Sequence, residues 1–243
     1  RPQYTVDMQF GFSKIFEASK PELVNGKEFT ELWLEGEMHR MVYAACSKDD
    51  DFFAIIKDLY KDKEGYKFDG KNYNEWYADA KTEFCDVFKI KKGADSDEYY
   101  TDLFGADADK MPDVNWYDEV TRTAPFQKIN VSARGGSRVG KFYASLEYFN
   151  QQGVLKSSEL KRYSLRMNLT SDDPDNFFNW GLNTQLTYSA QSGPRRDALG
   201  YAMLHYTALS LAPVVPVYLE DGSFNFNFPK NVNSNMNPLA VAK

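Results

Sequence analysis

The chain has 243 residues, room for one large domain or two ordinary ones, and carries 42% hydrophobic residues, 26% charged residues and a formal net charge of −6. A mean hydropathy of −0.58 and a pI near 5.1, with no apolar run near about 18 residues, exclude a transmembrane helix and argue against nucleic acid as the partner. They do not exclude a transmembrane β-barrel, whose strands dilute their apolar residues by half.

The sequence opens on Arg1-Pro2-Gln3, with neither a basic region nor an apolar stretch of a signal peptide, so a piece of a longer protein is expected. Residues 4–13 alternate strictly. Tyr4, Val6, Met8, Phe10 and Phe12 fall on one face, and Thr5, Asp7, Gln9, Gly11 and Ser13 on the other. Residues 1–17 are therefore expected to hold a first strand.

Over 18–125 the period changes and the charge concentrates. Residues 1–46, 47–120 and 121–243 carry net charges of −2, −9 and +5, which marks the middle as a separate acidic surface module. Phe29, Leu32, Trp33 and Gly36 follow helical spacing after Asn25-Gly26. Phe52, Ile55, Ile56 and Leu59 share one helical face, and a third helix is expected over 74–88. Asp95-Ser96-Asp97-Glu98 and Asp107-Ala108-Asp109 lack the calcium-loop spacing and read as solvated loop. Trp76, Tyr99, Tyr100 and Trp116 stand in polar context. They are candidates for stacking on sugar faces in an outer vestibule, against the alternative that they simply pack the module. Cys46 and Cys85 have no CxxC spacing, so one bridge and two free thiols both remain open. His39 and His205 have no metal-ligand spacing, and no nucleophile elbow, P-loop or dinucleotide fingerprint occurs. No cofactor or metal is implied, and nothing points to an enzyme.

Alternation returns over 126–190, in 128–134, 142–148, 161–170 and 180–189. The apolar faces often begin or end in Tyr, Trp or Phe, as aromatic girdles require, and the polar faces carry charges that lipid would not tolerate. A soluble β-sandwich also alternates and remains the rival reading. Gly135-Gly136 and Gly140 are expected to supply positive φ to a tight turn, with a second compact connection at 171–176. Residues 191–243 are expected to be a further outer loop, partly helical, leading toward another strand. The fold class expected is all-β: an antiparallel transmembrane barrel, of which about five strands are present, with a helical, acidic extracellular insertion. Asp7, Arg134, Glu147, Arg162 and Arg166 are the expected lumen-facing charges, contacting a plug or a substrate.

A family resemblance adds to this. Asn115-Trp116-Tyr117-Asp118-Glu119, Arg122-Thr123-Ala124-Pro125, Asn130-Val131-Ser132 and Gly135-Gly136 come first. Then follow Phe142 to Gly153, Lys161 to Leu169, Pro213 to Tyr218, Asp221-Gly222-Ser223 and Asn237-Pro238-Leu239. In that order these pieces resemble SusC/RagA-type TonB-dependent transporters. The resemblance implies a Bacteroidota-type outer-membrane importer with a large plugged barrel, represented here by its first barrel strands and without TonB box or plug. It also implies a SusD-like surface lipoprotein as lid and energy from TonB. The cargo it implies is glycan oligosaccharides or, in some members, oligopeptides.

Overall fold

The computed structural model describes residues 1–171, 178–193, 204–229 and 237–241. In chain order it has β1 (Gln3–Ser13), α1 (Gly26–Ala45), α2 (Phe52–Lys61), α3 (Tyr73–Val87), β2 (Ile90–Lys91), β3 (Tyr99–Tyr100) and α4 (Trp116–Val120). There follow β4 (Ala124–Gly136), β5 (Gly140–Gln152), β6 (Glu159–Ser171), β7 (Trp180–Ser192), α5 (Leu204–Ser210) and α6 (Pro238–Val241). These form two compact units. One comprises Arg1–Pro21 and Val120–His205; the other comprises Glu22–Glu119 and Tyr206–Val241.

The first unit is built on one five-stranded antiparallel sheet in the order β1-β4-β5-β6-β7. Its strands run 11 to 13 residues, long enough for a tilted bilayer crossing. Because side chains alternate with period two, the register lines equivalent residues up in rows. Val6, Val131, Leu146, Leu165 and Leu186 form one row, and Met8, Ile129, Tyr148, Tyr163 and Tyr188 the next. The Tyr148 and Tyr163 rings lie 5.1 Å apart, and Tyr163 and Tyr188 6.4 Å. This apolar face is bare: Leu146 is 58%, Leu186 60% and Tyr188 66% exposed. A soluble sheet would bury such a face, since each large apolar side chain left in water forfeits about 1.5–3 kcal/mol.

Connections at the two ends of the sheet differ. Ser13 pairs with Ala124 and Phe126 with Gln151, so the chain leaves β1, re-enters at β4 and makes the loop 153–158 at one end. The three residues between β4 and β5 lie at the other end, where Ser171 pairs with Trp180. Arg122 staples the 153–158 loop, its Nε donating to Gly153 O at 3.1 Å and its Nη2 to Ser158 O at 3.0 Å. The expected turn glycines behave differently from expectation. Gly135 and Gly136 end β4, Gly140 starts β5, and none of them has positive φ. What Gly135 needs is space: a Cβ there would fall 2.7 Å from the Phe142 ring. The expected connection at 171–176 falls, beyond Ser171, outside the described residues.

The second unit gathers α1, α2 and α3 around Leu34, Met38, Val42, Leu59, Ala80 and Phe84, all nearly or fully buried. Each helix is started by a side chain. Asn25 Oδ1 accepts Glu28 N at 2.9 Å while Asn25 N donates to Glu28 Oε2 at 3.1 Å. Asn72 and Glu75 repeat this capping box at 3.0 and 2.7 Å, and Asp51 caps α2. The buried stripe of α1 is Gly26, Thr30, Leu34, Met38 and Val42, rotated from the expected Phe29, Leu32, Trp33 and Gly36. Thr30 can be buried because its hydroxyl donates to Gly26 O at 2.7 Å, whereas Leu32 is exposed. Asp69 and Gly70, at φ 48° and 76°, make a two-residue hairpin turn closed by Phe68 and Lys71. Asn237 is fully buried, its Nδ2 donating to Val217 O at 2.8 Å and Asn225 O at 3.1 Å. Among the described residues no helix is long and apolar enough to cross a membrane.

Candidate functional site

The polar face of the sheet carries the candidate site. Three central rows on it read Gln9, Lys128, Phe149, Arg162 and Ser189; then Asp7, Asn130, Glu147, Ser164 and Thr187; then Thr5, Ser132, Ser145, Arg166 and Gln185. A concavity of about 670 Å³ is lined entirely by this unit, among others by Asp7, Lys128, Glu147, Arg162, Arg166 and Gln185. All five charges expected from the sequence lie on this face, and four of them share the concavity; Arg134 stands one row beyond.

Their electrostatics divide them. Glu147 is the hub: Oε2 takes Lys128 Nζ at 3.1 Å and Oε1 takes Arg162 Nη2 at 3.0 Å. One carboxylate thus bridges β4, β5 and β6. The Arg162 guanidinium also lies 5.2 Å over the Phe149 ring, a cation–π contact. Arg134 Nε donates to Gln3 Oε1 at 2.9 Å, tying β4 to β1. Among the described residues, Asp7 and Arg166 have no ion-pair or side-chain hydrogen-bond partner. The lattice of acceptors and donors offered by Asn130, Ser145, Ser164, Gln185 and Thr187 suits a wetted or protein-contacted wall, since lipid cannot satisfy such groups.

Lys128 and Phe149 were not singled out by the sequence reading. Their signal was available: Lys128 is two residues before Asn130 on the alternating polar side, and pairing of β4 with β5 in this register sets it opposite Phe149.

The aromatic candidates of the second unit separate too. Trp76 is 6% and Trp116 1% exposed. Their indole N–H groups donate to Phe68 O at 3.3 Å and Ala212 O at 3.1 Å, so these rings are interior packing and offer no open face for stacking. A large ring with one satisfied donor is what a core accommodates. Tyr99 and Tyr100 are half-buried on β3. Lys89 Nζ lies 5.1 Å over Tyr99, and Lys92 and Lys110 each lie 5.3 Å from the Tyr100 ring centre. Lys110 also meets Glu220 at 2.7 Å. Hydrogen bonds from Lys110 and then Tyr100 hold the Glu220 carboxyl below its usual range, and the bond to Glu220 pushes the Tyr100 phenol up. These tyrosines are engaged with lysines rather than free. Cys46 and Cys85 are free thiols, and burial pushes the Cys85 thiol up, away from thiolate reactivity. The side chain of His205 lies outside the described residues.

No protein-family model matches the chain. It is 33% identical over 138 residues to TonB-dependent receptor P26 of Formosa agariphila, spanning 56% of this chain and 13% of that protein. It is 27% identical over 188 residues to TonB-dependent receptor SusC of Bacteroides thetaiotaomicron, spanning 74% of this chain and 18% of that one. The chain therefore spans under a fifth of the curated relatives it matches. Among solved structures, the RagAB peptide importer in its closed-closed state aligns over 97% of this chain and 23% of its own, with a TM-score of 0.52 and 17% identity. A second RagAB peptide transporter structure gives 0.51 over 94%. At that identity the likeness is one of fold.

Proposed function

We propose that this chain, which corresponds in sequence and fold to a segment of a SusC/RagA-type TonB-dependent transporter, forms an arc of the wall of an outer-membrane barrel that imports oligomeric nutrients. The observation that carries this is the two-faced sheet. One side presents rows of bare Val, Leu and Tyr to lipid, and the other presents charges and amides to a lumen. A secreted sandwich would need a second sheet over the apolar rows, and among the described residues the first unit has a single sheet.

In this reading residues 1–17 and 126–190 are barrel wall. Residues 18–125 and 191–243 face the outside, because long connections belong on that side and tight ones on the periplasmic side. Asp7, Arg134, Glu147, Arg162 and Arg166 face the lumen, toward a plug carried elsewhere in the protein. Energy comes from TonB through that plug, and a SusD-like lipoprotein closes over the outer loops. The cargo is a glycan oligosaccharide or an oligopeptide, the two classes that the family resemblance implies.

The test is growth of the host on oligomeric glycans and on peptides with the full-length gene deleted, and separately with TonB inactivated. Growth on one oligomer class should be lost in both strains while growth on its monomer persists. Uptake that survives loss of TonB would instead indicate a passive pore.

A further inference from the structure

The second unit holds a cavity of its own, of about 670 Å³, lined by the start of α1, the end of α3 and the segments 113–116 and 208–213. That volume is within the range of about 300–1,000 Å³ found for small-molecule sites. Phe29 and Trp33, one turn apart on α1, line it because they stand beside the buried stripe of that helix rather than in it. With Phe88 they make an aromatic wall. Trp33 meets the Phe84 and Phe88 rings edge-on at 5.2 and 5.6 Å, and Phe29 meets Phe88 at 5.7 Å. The polar groups of the cavity are aimed by bonds to the local backbone. Asn25 Oδ1 accepts Glu28 N at 2.9 Å, and Asn115 Oδ1 accepts Asp118 N at 3.2 Å. With each carbonyl oxygen committed, each amide NH₂ is left as a donor. Asp113 Oδ1 accepts Gly26 N at 2.7 Å, which leaves Oδ2 as an acceptor. Trp76 and Trp116 spend their indole N–H groups on the interior. Trp33 Nε1 has no hydrogen-bond partner among the described residues and is not sealed from solvent. No lysine, arginine or histidine is among the described residues that line the cavity.

We propose that this cavity binds a neutral sugar residue of an oligosaccharide, with Trp33 in its aromatic wall and Asp113, Asn25 and Asn115 as partners of the hydroxyls. A pyranose has an apolar face of C–H groups, which suits an aromatic wall, and a rim of hydroxyls that both donate and accept. The cavity answers with two amide donors, one indole donor and one carboxylate acceptor. An anion would meet Asp113 as the only charged residue of the lining. An acyl chain would cover these polar groups without bonding them, at a cost for each. A peptide bound by strand addition needs an open strand edge, and none of the described lining residues lies in a strand. The site rests on the importer reading only in that the helical unit then faces the medium. It adds a glycan contact in that unit, separate from the polar face of the sheet.

The test is calorimetric titration of the purified full-length protein with maltotetraose, cellotetraose, xylotetraose and mannotetraose, and with tetra-alanine as the peptide probe. At least one sugar should bind. Trp33→Phe, which keeps an aromatic ring and removes the N–H, should weaken that sugar about three- to tenfold. Asp113→Asn, which keeps an oxygen for Gly26 N, should weaken it about tenfold. Tyr99→Ala, outside the cavity, should bind as the wild type does. A second measurement needs no variant: hydroxyl-radical footprinting read by mass spectrometry, in which saturating sugar should lower the oxidation of Trp33 and leave that of Tyr99 unchanged. Binding that both cavity variants leave intact, or oxidation of Trp33 that the bound sugar does not lower, puts the sugar elsewhere and overturns the proposal. Binding by none of the four sugars overturns it as well, and so does tetra-alanine binding that depends on Trp33 and Asp113. Growth that survives loss of TonB would sink the importer reading and leave these affinities as they are.

Discussion

Arg162 reaches Glu147 at 3.0 Å on a diagonal, because the register sets Arg162 opposite Phe149 and Glu147 opposite Ser164. Lys128 reaches the same carboxylate from the other side at 3.1 Å, so one acid holds two cations on two neighbouring strands. Glu147→Gln should cost more than Lys128→Met, because it strands both cations where the lysine change strands none. All three side chains are part-exposed, so solvent screening limits the expected loss to about 1 kcal/mol. The check is the midpoint of heat-induced unfolding of the full-length barrel on unheated-sample gels, with Glu147→Gln shifted further.

Leu186 and Thr187 are neighbours that point to opposite faces. Leu186→Arg should destabilise folding into lipid vesicles by about 2–4 kcal/mol, whereas Thr187→Arg should cost less than about 1 kcal/mol. Equal effects would contradict the assignment of the two faces to lipid and lumen.

Trp116 is interior and hydrogen-bonded to Ala212 O. Trp116→Ala should cost about 3–5 kcal/mol, seen as loss of hydrogen-exchange protection in α1 and α3 rather than as a selective loss of ligand affinity. Tyr99→Ala, at a half-buried position, should leave that protection in place.

Acid should loosen the start of α3. Glu75 has its carboxyl held below the usual range, first by the hydrogen bond from Asn72 N and then by Lys67. A depressed folded value means that the contribution is complete above the unfolded pKa of about 4.3 and is lost as pH falls through the lower folded value. Exchange protection at Asn72–Trp76, corrected for intrinsic rates, should therefore fall with acidification in that window. In Glu75→Gln it should change little there.

The strands were legible because a half-apolar, half-polar sheet writes its faces into every second residue. The alternation of Tyr163, Leu165, Met167 and Leu169 with Arg162, Ser164, Arg166 and Asn168 is local information. The five charges on the polar face followed from it without any knowledge of pairing. The helices were legible in outline, yet the buried face of α1 was not. A threonine that satisfies its own hydroxyl can occupy the interior, and a leucine can remain outside, once neighbouring helices choose the side. For Trp76 and Trp116 the sequence leaves stacking and packing both open, for a related reason. Polar sequence neighbours say nothing about what packs over a ring from residues far along the chain.

What the sequence determined by itself is therefore whatever has a period: strand positions, the apolar and polar sets, the approximate places of the three helices, and the family resemblance. What only the tertiary structure decided is who meets whom. That Glu147 is shared by Lys128 and Arg162, while Arg166 meets no acid among the described residues, depends on the register between strands. A shift of two residues would keep every side chain on its face and change every pairing.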